Sequence, residues 1–334
     1  MSDKLGLFDR TDVVYKTLNG ISFKVAVLVP KMSIASRNHA RPLLVHLHGG
    51  GLIMGTILDP VMLPHWLMQF GASQDAVVVS PEYRLLPEAS GSDLFDDVGQ
   101  FWTWIHTSFP AVLSGIWPGL FVDFDRIAVA GESAGGYLAL QSAALFPAAG
   151  IKLVMAQYCA LDIDNPAYNP VPSTLPANND LQMYLNSMKS DSIRLSSPFP
   201  EKLGLLQAII GAGRHREFIG LDDRINIRKS IRLAEELPAI WIAQGMDDTL
   251  VGNPPLFFYR CRILEGGTRN MYDANISDQV PKPVTDDLVS YIRETHPETP
   301  LVYSVQPGGH GFDVECTLEE SWVVEGIGFA KSYW

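Results

Sequence analysis

A repeated alternation constrains this chain more than any other feature. Short apolar runs of strand length recur along it, with stretches of helical spacing between them. "LLVHLH" follows the Arg41-Pro42 break, "DAVVVSPEY" spans 75–83 and "RIAVAG" spans 126–131. "IKLVMAQYC" (151–159), "PAIWIAQG" (238–245) and "PLVYSV" (300–305) continue the series. Runs that are apolar at successive positions are buried on both sides, as in a parallel sheet with helices on each face. Helical spacing marks "DLFDDVGQFWTWIHTSF" (93–109), the small-residue stretch "SAGGYLALQSAALF" and the closing "SWVVEGIGFAKSYW". Near the start, "VVYKTLNGISFKVAVLVP" reads as two strands joined at Asn19-Gly20, a hairpin signal that puts antiparallel strands at one edge. The expectation is an α/β fold: a mostly parallel central sheet flanked by helices, with an antiparallel N-terminal hairpin.

One segment breaks the rhythm. Residues 164–235 contain no clear buried strand. They begin Pro- and Asn-rich ("DIDNPAYNPVPSTLPANND"), and "LQMYLNSMKS", "EKLGLLQAIIGA" and "IRKSIRLAEEL" follow with helical spacing. A long insertion between two core strands is usually functional. It is read as a helical cap over one end of the sheet, leaving 1–163 and 236–334 as the core.

Composition narrows the partners. The 334 residues are 47% hydrophobic and 19% charged, enough for a sizeable core. The formal charge of -12 repels phosphate backbones, so no nucleic-acid partner is expected. Cys159, Cys261 and Cys316 form no CxxC pair and suit a reducing compartment. "MSDKLGLFDRTD" has no apolar signal core, and no apolar stretch approaches the roughly 18 residues of a membrane span. A cytoplasmic setting is expected.

Two glycine-rich stretches carry the chemistry. Gly131-Glu132-Ser133-Ala134-Gly135 matches G-x-S-x-G between the strand "RIAVA" and a helix. That strand–turn–helix setting is the nucleophile elbow, which exposes a strained serine at a helix start. A serine nucleophile needs a base. His310, in "QPGGHGFDVE" after the last strand, is placed to reach across the sheet's carboxyl edge. The histidine needs an orienting carboxylate. "GMDDTLVG", after another strand, offers Asp247 and Asp248, with Asp248 favoured by the spacing G-x-x-D-x-x-V. The chain order Ser133, Asp248, His310 is that of the α/β-hydrolases. The second stretch, "HLHGGG" (46–51), is followed by no P-loop lysine or dinucleotide fingerprint. His46-x-His48 has no partner at ligand spacing, so neither metal nor cofactor is expected.

Together, "HGGG" (48–51), "PEYRLLPE" (81–88), "GESAGG" (131–136), "GMDDTLV" (245–251) and "HGF" (310–312) resemble the α/β-hydrolases, and among them the hormone-sensitive-lipase-like esterases. Glu82 and Leu86 depart from the family's D-Y-R-L-A-P-E stretch, and Leu52 stands where many relatives carry an aromatic. The resemblance implies an α/β-hydrolase fold and a serine carboxylic-ester hydrolase. Ser133 would be the nucleophile, His310 the base and Asp248 its orienting acid. The N–H groups of Gly50, Gly51 and Ala134 would form the oxyanion hole. Short-chain or small-metabolite esters are the expected substrates, and a homodimer is consistent with the relatives. Two rival readings share these residues. One is lactone or amide hydrolysis, acyl transfer or a biosynthetic cyclisation by the same triad. The other is a ligand-binding protein without turnover.

Further residues have structural readings. Glu132 is a polar neighbour of the serine, and Arg84 is expected to pair with Asp97 beneath the loops. Phe101, Trp102 and Trp104 are expected in the core. Met183, Tyr184, Leu185 and Met188 suit either cap packing or a pocket wall.

Overall fold

The computed structural model describes residues 3–31, 40–159, 162, 179–189, 192–248 and 282–334. Its first two strands, β1 (Phe8–Leu18) and β2 (Ile21–Pro30), pair antiparallel. Asn19 and Gly20 join them with φ of 51° and 78°, the positive values that a type I′ turn requires at both central positions. Then come β3 (Ala40–Leu47), α1 (His65–Ser73), β4 (Val77–Pro81), α2 (Gly91–Thr107), α3 (Phe109–Ile116), β5 (Phe121–Glu132) and α4 (Ala134–Leu145). After β6 (Ile151–Gln157) stand α5 (Asn179–Ser187), α6 (Leu203–Gly211), α7 (His215–Ile219) and α8 (Ile227–Leu233). The chain closes with β7 (Ala239–Gly245), α9 (Lys282–Thr295), β8 (Leu301–Gln306) and α10 (Ser321–Ala330).

The strands form one 8-stranded sheet in the order β1-β2-β4-β3-β5-β6-β7-β8. β2 pairs antiparallel with β4, and every pairing from β4 to β8 is parallel. β4 and β7 are buried along their whole length, which explains why Ser80 and Gln244 are the only polar side chains in them. Successive side chains feed opposite cores. Leu43, Val45 and Leu47 join the core under α2, α4, α8 and α9, while Leu44 joins the core under α1 and α10. In that second core Trp66, Trp241 and Trp322 cluster, with Trp66 and Trp241 centroids 5.1 Å apart. Gly326 of α10 lies so close that a Cβ there would be 1.8 Å from the Trp241 ring.

Two differences from the sequence reading have simple causes. The helix expected over 93–109 starts at Gly91, on a capping box formed by Ser90 and Asp93, and ends at Thr107. A new helix begins at Phe109 because Pro110 has no N–H to continue the first one, yet fits a first turn. The helices α1 and α9 also stand where no helix is expected from the sequence.

The described part of 164–235 carries the helices α5 to α8, and residues 163–178 and 190–191 lie outside the described residues. Its backbone is bonded to the loops that follow β3 and β4. Gly55 and Ser197 exchange N–H···O bonds of 2.7 and 2.9 Å, and Leu85 N–H donates to Arg194 O at 2.8 Å. Those loops leave the carboxyl ends of parallel strands, the edge where open α/β sheets bind ligands. Among the described residues, no helix is long and apolar enough to cross a membrane.

Candidate active site

Ser133 stands between β5 and α4 with φ 54° and ψ -122°. A residue with a Cβ rarely adopts this conformation, at a cost of roughly 1–3 kcal/mol. Its surroundings hold it there. Ser133 N–H donates to Gln157 O at 2.9 Å, and its carbonyl accepts the first helical bond from Tyr137 N–H. The turn closes only with glycine on either side of Ser133. A Cβ on Gly135 would lie 1.9 Å from Leu47 O, and one on Gly131 would lie 2.4 Å from Gly135.

The loop after β3 passes directly over this turn. Gly50 and Gly51 have φ of 104° and 64°, and Gly50 O accepts the N–H groups of Ile53 and Met54. Among the described residues, the N–H groups of Gly50, Gly51 and Ala134 have no protein acceptor. Glu132 anchors the loop from below. Its carboxyl, wholly buried, accepts from Gly49 N–H and from His46 Nε2, both at 2.8 Å. His46 Nδ1 lies 3.2 Å from Ser80 Oγ, so both of its ring nitrogens face protein partners. His48 Nδ1 donates to Gly49 O at 2.8 Å, and its ring stacks on Tyr83. Burial lowers the His48 pKa to about 4 and keeps the ring neutral.

His310 and Asp248 are brought together. His310 Nδ1 and Asp248 Oδ2 are 3.0 Å apart, and both side chains are buried. Gln244 Nε2 also donates to Asp248 Oδ2 at 3.0 Å, while Gln244 Oε1 accepts from Thr285 of α9 at 2.8 Å. These contacts orient the carboxyl from the strand side. Asp247 is exposed and holds the neighbouring loop instead, accepting from Gly308 N–H at 3.2 Å. Met246 N–H to Gln306 O at 2.7 Å completes this zipper between the loops after β7 and β8. Ser133 joins the pair through one dipeptide: Gln157 accepts its N–H, and the Tyr158 ring centroid is 4.5 Å from that of His310.

The supporting residues meet their expectations unevenly. Arg84 clasps Asp97 through Nε and Nη2 at 2.9 and 2.8 Å, with Lys16 on the same carboxylate. Phe101, Trp102 and Trp104 are buried in the core. Tyr184 and Leu185 pack against the core, whereas Met183 is 62% exposed.

Other contributors were not singled out as site residues from the sequence. Glu88 of "PEYRLLPE" accepts both Lys202 bonds at 2.9 Å and the Tyr184 hydroxyl at 2.5 Å, tying α5 and the start of α6 to the core. His215 is buried beside the Gly51 backbone, and burial lowers its pKa to about 4. Asp313 sits behind the histidine loop. Glu88 left a sequence signal in its motif, and Gln244 left one as a polar side chain inside an otherwise apolar strand.

Comparison with known proteins identifies the fold and the family. The α/β hydrolase fold family matches residues 44–215. A probable carboxylesterase from Phoma sp. is 29% identical over 100% of this chain and 98% of its own length. A probable carboxylesterase from Cochliobolus lunatus is 33% identical over 57% of this chain and 92% of its own. An α/β hydrolase superfamily protein from Enterococcus faecalis superposes with a TM-score of 0.60 at 16% identity, covering 97% of this chain and 98% of its own. The sheet order, the strained Ser133 turn and these likenesses lead to one conclusion: the chain is a hydrolase enzyme and belongs to the α/β-hydrolase esterase family.

Proposed function

We propose that this esterase works through an acyl-enzyme on Ser133, with His310 as general base and acid and Asp248 as its orienting carboxylate. The observation that carries the reading is the buried 3.0 Å contact between His310 and Asp248, one dipeptide away from the strained serine. Ser133 Oγ attacks the ester carbonyl carbon while His310 Nε2 takes its proton. Asp248 holds Nδ1–H, which fixes the tautomer that leaves Nε2 free to accept. The oxyanion meets the N–H groups of Gly50, Gly51 and Ala134, which have no acceptor among the described residues, and this suits the role. Collapse expels the alcohol, which leaves with the proton from His310. A water deprotonated by His310 then attacks the acyl-enzyme, and the acid departs as Ser133 regains its proton.

Residues 164–235 act in this proposal as a cap that shapes the pocket. Leu206 of α6 supports that role: its methyl carbon lies 2.6 Å from where a Gly51 Cβ would be. Short-chain or small-metabolite esters are the proposed substrates. Hydrolysis of p-nitrophenyl esters from acetyl to hexanoyl, by wild type and by Ser133→Ala, tests the reading. Wild type is expected to turn over the short esters and to label with a fluorophosphonate. Ser133→Ala is expected to lose about 10³-fold or more in kcat and to stay unlabelled. Equal rates in the two proteins would overturn the nucleophile assignment.

A further inference from the structure

Asp248 holds His310 at Nδ1. The ring torsion of a histidine is broad, so a contact on the ring itself adds restraint against tilting. Tyr158 occupies the space that such a tilt would need. Its ring centroid is 4.5 Å from that of His310 at an interplanar angle of 59°. Phe312 packs edge-on against the same tyrosine, with centroids 6.0 Å apart.

Tyr158 is itself held at several points. Its φ is 38°, in the left-handed region that side-chain-bearing residues avoid. Its N–H donates to Ala243 O at 2.6 Å. Its hydroxyl donates to Asp313 Oδ1 at 2.9 Å, and Trp66 Nε1 of α1 donates to Asp313 Oδ2 at 3.0 Å. Tyr158 and Asp313 are wholly buried. A buried carboxyl is unfavourable unless its bonds are satisfied, and here both oxygens are used to hold one tyrosine and one tryptophan. The preceding residue, Gln157, accepts the Ser133 N–H. One strained dipeptide therefore touches the nucleophile's backbone and the histidine's ring together.

Resting on the reading of His310 as the general base, we propose that Tyr158 is a positioning residue for His310 and that Asp313, through the tyrosine hydroxyl, holds it in place. The imidazole then has two supports anchored on carboxyl groups, Asp248 at its Nδ1 edge and the Asp313–Tyr158 pair beside its ring. Displacements of about 1 Å at a reacting group can reduce rate about 10²-fold, so restraint of this kind should appear in kcat.

The test uses the full chain and p-nitrophenyl butyrate. Five variants are compared: Ser133→Ala, Tyr158→Phe, Tyr158→Leu, Asp313→Asn and the Tyr158→Phe/Asp313→Asn double variant. Tyr158→Leu is expected to lower kcat about 10- to 100-fold with KM changed less than about twofold. Tyr158→Phe and Asp313→Asn are expected to lower kcat about 3- to 10-fold each, and the double variant no further than the worse single one, as for residues acting in one chain. The proton resonance of His310 Nδ1–H should persist in Ser133→Ala and broaden or move in the Tyr158 variants. Asparagine can still accept from Trp66, but its amide can only donate to the tyrosine oxygen and leaves the tyrosine O–H without its acceptor, so Asp313→Asn and the ring-conserving Tyr158→Phe decide the matter if Tyr158→Leu does not fold. Inactive Ser133→Ala with wild-type kcat in both conservative variants would overturn this inference and leave the proposed function standing. Undiminished Ser133→Ala would overturn the proposed function and this inference with it.

Discussion

Glu132 shows how much of this site rests on a single side chain. It follows Gly131 in the elbow, and its two oxygens are spent on Gly49 N–H and on His46. Gly49 leads into Gly50 and Gly51, so the carboxyl sets the height of the glycine loop over Ser133. Truncation leaves two buried polar groups without partners, at about 1–3 kcal/mol each. Glu132→Ala is expected to lower both the thermal midpoint and kcat, the latter about tenfold or more because the proposed oxyanion donors lose their anchor. Glu132→Gln should be milder, because a reversed His46 tautomer can accept from the new amide. Calorimetry with steady-state kinetics on both variants checks this, and equal kcat in wild type and Glu132→Ala would refute it. At this scale the sequence was informative wherever chemistry demands a special residue type. Ser133, His310 and the Asp247–Asp248 pair all stood out. Between the two aspartates the spacing favoured Asp248 but left Asp247 open, because the outcome depends on which side chain turns inward after β7. Tyr158 and Asp313 were invisible for the same reason: their meaning lies in a contact across 155 positions of sequence.

At the scale of elements, Glu88 is the clasp between the loop after β4 and the helices above it. Lys202 and Glu88 are both nearly buried, and burial lowers the lysine's pKa even with the carboxylate beside it. Removing one partner of such a pair leaves a buried charge and costs about 3–5 kcal/mol. Glu88→Gln is therefore expected to loosen α5 and α6, seen as faster hydrogen exchange and earlier proteolysis in 179–211. Replacing both partners by apolar residues (Glu88→Leu with Lys202→Met) should restore most of the loss. Unchanged exchange in Glu88→Gln would show that the clasp contributes nothing. The strands were the legible elements, since two-sided burial writes itself as continuous apolar sequence. The helix α1 was not, because "HWLMQFGAS" is buried along most of its length and shows no polar face to mark a period.

For the molecule as a whole, acid stability follows from the histidines it buries. His48 and His215 are each lowered to about 4 by desolvation. Between pH 4 and the ordinary histidine value near 6.5, the unfolded chain binds protons that the folded chain does not. Their contribution is fully present above about pH 6.5 and is lost as pH falls through that window. Asp313 acts in the opposite sense. Burial raises it to about 6, so its contribution is present below about pH 3.9 and is lost as pH rises to 6. Two histidines outweigh one carboxyl, and the thermal midpoint is expected to fall from pH 7 to pH 4.5. Asp313→Asn should steepen that fall by removing the opposing group. A midpoint independent of pH over this range would contradict the assignment of both histidines as buried and neutral.

The alternation of apolar strands and helices, the glycine turn around Ser133 and the chain order of serine, acid and histidine were determined by sequence alone. Each is a local rule: burial on two faces, a backbone conformation that tolerates no neighbouring Cβ, a loop at a strand end. Tertiary structure decided the rest. It chose Asp248 over Asp247 as the partner of His310, set Glu132 under the glycine loop and brought Glu88 to Lys202. Such choices depend on which distant side chains share a buried space, and hydrogen bonding in that space is governed by distance and desolvation rather than by separation along the chain.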